Sequence, residues 1–76
     1  MEDLIKVIAE ALVDYPEKVD VREVRGNFTS VIELRVLKED LGKVIGKEGK
    51  TAQAIRTILH AASSRFRRKA VLEIVE

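Results

Sequence analysis

Val44-Ile45-Gly46-Lys47-Glu48-Gly49-Lys50 is the stretch whose reading decides the fold. Two glycines three residues apart separate a short apolar pattern from a longer helical one. Residues 38–45 (KEDLGKVI) read as a short helix, with Glu39 and Asp40 in a first turn that favours acidic side chains. Gly46 to Gly49 interrupts it. A second helix starts near Lys50, because Ala52, Ile55, Leu59, Ala62 and Phe66 fall on one stripe, with Ile58 beside it. Gln53, Arg56, Thr57, His60, Ser63, Ser64 and Arg67 face mostly outward. This helix is expected to end in Arg67-Arg68-Lys69, where cations complement its dipole.

A four-residue turn between two helices needs backbone angles that glycine supplies cheaply. Glycine also lets a ligand's backbone approach with no Cβ in the way. The second helix begins with unpaired N–H groups and a positive dipole end, where phosphates bind readily. Lys47 and Lys50 add mobile positive charge, as does Lys43 one turn earlier. Glu48 is discordant: it places an anion in the same loop.

On the N-terminal side, Leu4, Ile8, Ala11, Leu12 and Tyr15 recur at helical spacing, predicting an amphipathic helix over about residues 2–14. Pro16 cannot continue it. Residues 19–25 (VDVREVR) read as a strand, and Gly26-Asn27 is a turn signal. Residues 30–37 (SVIELRVL) alternate, placing Ile32, Leu34 and Val36 on one face and Val31, Glu33, Arg35 and Leu37 on the other. Residues 70–75 (AVLEIV) form a last strand. The order is αββααβ. The helical pair is long enough for a crossover between parallel strands two and three. The expected fold is α+β, a three-stranded mixed sheet with three helices on one face, in one domain over residues 1–76.

Charge is segregated along the chain. Residues 1–40 carry a net −4, residues 41–69 a net +7 and residues 70–76 a net −2, within an overall charge of +1. The basic segment is a candidate polyanion footprint, and an ordinary charged helix face is the alternative. With no cysteine, disulfides and thiolate metal sites are excluded. No apolar run approaches the roughly 20 residues that span a bilayer, and the acidic start Met1-Glu2-Asp3 argues against a targeting signal. A soluble, cytoplasmic protein is expected, with no cofactor and no membrane partner.

Val44 to Lys50, followed by Ile55, resembles the V-I-G-x-x-G-x-x-x-x-x-I core of KH domains, and the αββααβ order resembles their type II arrangement. The stretch Val31 to Leu59 and the terminal AVLEIVE resemble the KhpA family of short bacterial stand-alone KH proteins. The resemblance implies binding of single-stranded RNA, about four nucleotides per domain. Gly46, Lys47, Glu48 and Gly49 would meet the sugar-phosphate backbone, with Lys43, Lys50 and Arg56 as flanking cations. Val44, Ile45, Ile55 and the edge of strand two would floor an aliphatic groove, although plain core packing is the favoured reading for each of these three side chains taken singly. The resemblance further implies an RNA-chaperone role, pairing with a second KH protein of the KhpB (Jag-like) kind, and links to cell-length and peptidoglycan homeostasis.

Other readings compete. Val44 to Thr51 spells V-x-x-x-x-G-K-T, a phosphate-binding loop lacking its first glycine and preceded by helix where a strand is required. His60 is the only histidine and has no carboxylate to orient it, so Ser63 and Ser64 one turn along make no triad; no enzyme activity is expected. Arg65 to Lys69 could extend an RNA track or simply match the helix dipole. A KH fold can also serve as a protein-interaction or dimerisation module, using the outer sheet face at Val31 and Leu37. Dimerisation and RNA binding are compatible, since pairing weak sites raises avidity.

Overall fold

The computed structural model describes residues 1–65 and 67–75. Helix α1 (Glu2–Leu12) is followed by a single 3₁₀ turn at Pro16–Lys18 and the hairpin β1 (Asp20–Arg25) and β2 (Thr29–Arg35). A 3₁₀ turn at Lys38–Asp40 leads into α2 (Leu41–Ile45); the loop Lys47–Gly49 then opens α3 (Lys50–Ser64), and β3 (Lys69–Val75) closes the chain. The strands lie in the order β1-β2-β3, with β1 antiparallel and β3 parallel to β2. This is the expected αββααβ arrangement with its mixed sheet.

The alternation in β2 works as read. Ser30, Ile32, Leu34 and Val36 are buried, while Val31 and Glu33 are half-buried and Arg35 is exposed on the opposite face. Ile32 and Leu34 meet Ile5 and Ala9 of α1, Val44 of α2, Ile55 and Leu59 of α3 and Leu72 of β3 in one core. The other sheet face carries no helix. On it the register aligns Val24, Val31 and Val71 in a row across all three strands.

Three expectations need correction. The α1 stripe is rotated: Ile5 and Ala9 are buried, whereas Leu4, Leu12 and Tyr15 of the expected stripe are exposed. The helix is apolar round most of its circumference, so spacing alone permits either stripe. It also stops at Leu12, two residues early. The Asp14 and Tyr15 N–H groups leave the helical ladder to donate to the Asp40 carboxylate at 3.2 and 3.1 Å. Asp40 is fully buried and serves this junction, not the first turn of α2.

The second correction concerns the end of α3, which stops at Ser64 and has no cation in its last turn. Arg67 N–H bonds to the Ser64 carbonyl and Arg68 N–H to the Ser63 carbonyl, at 3.2 and 3.3 Å. These are the two bonds of a Schellman cap, with Arg67 in the left-handed conformation (φ 54) that glycine usually takes. Lys69 already belongs to β3. Third, Ser63 faces inward, 1% exposed, with its hydroxyl donating to the His60 carbonyl at 3.0 Å. Phe66, expected on the α3 stripe, lies outside the described residues.

Candidate nucleic-acid interface

The loop owes its shape to its two glycines. Gly46 ends α2 at φ 77, ψ 171, a conformation essentially restricted to glycine. A Cβ there would lie 2.8 Å from the Thr51 backbone nitrogen, so glycine is required on steric grounds as well. The Gly46 N–H closes α2 on the Gly42 carbonyl at 2.9 Å, and the Gly49 N–H returns to the Gly46 carbonyl at 3.1 Å. Gly49 adopts the left-handed conformation (φ 75, ψ 11) and leads into α3, whose N-terminus no side chain caps. Between the glycines, Lys47 and Glu48 are exposed, and Glu48 is also left-handed (φ 57). A glutamate at such an angle costs roughly 1 kcal/mol relative to glycine. The loop therefore projects its two central side chains into solvent from a backbone pinned on both sides.

A groove of about 430 Å³ lies between α3 and β3. Its lining is Gln53, Arg56, Thr57, Leu59 and His60 from α3 and Ala70, Val71 and Leu72 from β3. β3 is an edge strand, paired only with β2, and an edge presents unpaired backbone N–H and C=O groups. Flat apolar walls, a polar backbone edge and cations at one end can hold a base face, a base edge and a phosphate together.

The expected site residues divide by position. Gly46, Lys47, Glu48 and Gly49 form the loop, Lys50 is exposed on the first turn of α3, and Arg56 lines the groove. Ile45 is 40% exposed beside the loop. Val44 and Ile55, at 0% and 2%, are core residues that support loop and groove from beneath. Lys43 is committed elsewhere: its ammonium lies 2.9 Å from Asp14 and 3.8 Å from Asp40. The hydrogen bond to Asp14 raises its pKa above the ordinary lysine value, with help from the charges of Asp14 and Asp40. A phosphate would have to displace Asp14 to reach it.

The edge of strand two cannot floor the groove, because β2 is the central strand. The hairpin and the parallel crossover both use β2, and a strand with two partners has no free edge. The free edge beside α3 is that of β3, with Gln53, Thr57 and His60 of α3 opposite it. The degenerate phosphate-loop pattern ending at Thr51 also finds no support, since the residues before Gly46 are helical.

A GxxG loop between two helices, set against a three-stranded mixed sheet in αββααβ order, defines a KH domain. The sequence profile of the KhpA/KhpB KH domain matches residues 2–74. A protein named RNA-binding protein KhpA from Chlamydia caviae is 50% identical over 76 residues, spanning 100% of this chain and 97% of its own. Proteins of the same name from Caldanaerobacter subterraneus subsp. tengcongensis and Aquifex aeolicus are each 49% identical, over 99% and 100% of this chain and 100% and 96% of theirs. No solved structure matches the chain significantly. The chain belongs to the KhpA/KhpB KH-domain family.

Proposed function

We propose that this chain binds single-stranded RNA without catalysis, holding the sugar-phosphate backbone at Gly46–Gly49 and the bases along the α3–β3 groove. The observation that carries the reading is that one helix joins the two: α3 begins at the glycine-hinged, lysine-bearing loop and lines, from Gln53 to His60, an apolar groove against the edge strand β3. Lys47, Lys50 and Arg56 supply the phosphate contacts, and Ile45 adds aliphatic surface beside the loop. Glu48 sets a ceiling on affinity by repelling the same phosphates. The name carried by the relatives, RNA-binding protein, points the same way.

Resemblance to KhpA extends the proposal to an RNA-chaperone role in the cytoplasm, exercised with a KhpB (Jag-like) partner and tied to cell length and peptidoglycan homeostasis. Among the described residues no helix is long and apolar enough to cross a membrane. One observation favours a protein-interaction role beside the RNA role: the Val24-Val31-Val71 row, with Val24 59% and Val71 41% exposed on the helix-free sheet face. Pairing through the Val24 and Val31 part of that face, with a second copy or a second KH protein, leaves the loop free and doubles the number of RNA sites, whereas Val71 also lines the groove.

Salt titration tests the main reading. Three phosphate contacts on a single strand give a log–log slope of about −2, so affinity for a fluorescein-labelled oligouridine should fall about 20-fold between 50 and 200 mM salt. Salt-independent association with a protein, and none with RNA, would favour the interaction module instead.

A further inference from the structure

We propose that the RNA track continues past the groove, and that Phe28 at the β1–β2 turn stacks a further base of the same strand; the inference rests on the groove reading above. Phe28 is 79% exposed. Such a ring contributes little to the core, yet the turn that carries it is firmly held. The Gly26 N–H donates to the Thr29 carbonyl at 2.7 Å, and the Lys69 N–H donates to the Phe28 carbonyl at 3.0 Å. The Arg68 guanidinium donates to the Gly26 carbonyl at 3.0 Å and the Ser30 hydroxyl at 3.1 Å, and reaches the Asn27 carbonyl at 3.5 Å. Arg68 thus acts as a structural staple, and the ring is presented from a fixed backbone.

The position of the turn continues the groove. His60 and Ala70 lie at the groove's end away from the glycine loop, and Lys69, next to Ala70, pairs with Thr29, next to Phe28. An α3 of 15 residues is about 22 Å long, a run that accommodates the four nucleotides a KH domain holds. The next nucleotide arrives at Arg65, Arg67, Lys69 and the turn. There Arg65, Arg67 and Lys69 are exposed, and no side-chain hydrogen bond or ion pair engages them among the described residues. Arg67 keeps a long cationic side chain at a left-handed position where glycine is less strained. An exposed ring beside unpaired cations is the combination that stacks a base and neutralises its phosphates. A protein partner of the same patch would need acidic and apolar groups; the adjoining groove makes the RNA strand the favoured occupant.

Oligouridines of four and eight nucleotides separate the possibilities. Phe28→Ala should weaken octamer binding about fivefold to tenfold and leave tetramer binding unchanged. The chain has no tryptophan, so Phe28→Trp introduces a single reporter, whose emission should be quenched by the octamer and not by the tetramer. An unchanged octamer affinity for Phe28→Ala, or equal quenching by both oligomers, would overturn the inference while leaving the groove reading intact. A changed oligomeric state in sedimentation velocity with unchanged octamer binding would overturn it in favour of a protein contact. Failure of the wild-type chain to bind either oligomer would overturn both readings.

Discussion

Changing Lys47 and Glu48 together to Asp is expected to weaken RNA binding about 100-fold, or near 3 kcal/mol, with the circular dichroism spectrum unchanged. Half of that loss is expected from removing the charge-assisted contact proposed between Lys47 and a phosphate, and half from the repulsion that would replace it. The fold should survive because both side chains are exposed and neither touches the core. Asp also tolerates the left-handed angle at position 48 better than Glu does. A gel shift or crosslink that persists in the double variant would remove the loop from the binding site. Gly46→Val is a poorer test, since the Cβ collides with the Thr51 backbone and damages the helix junction as well.

Asp40→Ala is expected to destabilise the domain by about 3 kcal/mol, lowering the thermal midpoint by roughly 15 °C. The Asp40 carboxylate accepts from both the Asp14 and Tyr15 N–H groups, and its removal takes that partner from both at the junction between α1 and β1. Asp40→Asn should fall between wild type and Asp40→Ala, because one oxygen remains to accept. Lys43→Ala should move the midpoint far less, since its ion pair with Asp14 is open to solvent and such pairs contribute little. Thermal unfolding of the three variants checks this order. Equal effects of Asp40→Ala and Lys43→Ala would mean that the ion pair, and not the backbone hydrogen bonds, fixes the junction.

The fold was legible because its signals are local and redundant. β2 alternates cleanly, Pro16 and Gly26-Asn27 punctuate the chain, and the Gly46–Gly49 turn separates two helical patterns. The failures are equally physical. Leu4 and Ile5 are both good core residues, and it is tertiary packing, with Ile5 and Ala9 joining Ile32 and Leu34 in the core, that distinguishes the stripes. The end of α3 was hidden because its cap uses Arg67 where a glycine would have marked it. At the site, the loop was visible in the residues themselves, but the groove is made by two segments distant in sequence, Gln53–His60 and Ala70–Leu72. Lys43 illustrates the opposite limit: its spacing suggested a phosphate contact, and a carboxylate 29 positions earlier claims it.

Backbone amide chemical shifts of the labelled protein, followed during titration with an oligouridine octamer, test the central claim most directly. Perturbations are predicted at Gly46 to Lys50, along Gln53 to His60 and at Ala70 to Leu72, the loop and the two walls of the groove. A silent loop, with changes confined to Arg22, Val24, Val31 and Glu33 on the helix-free sheet face, would contradict it.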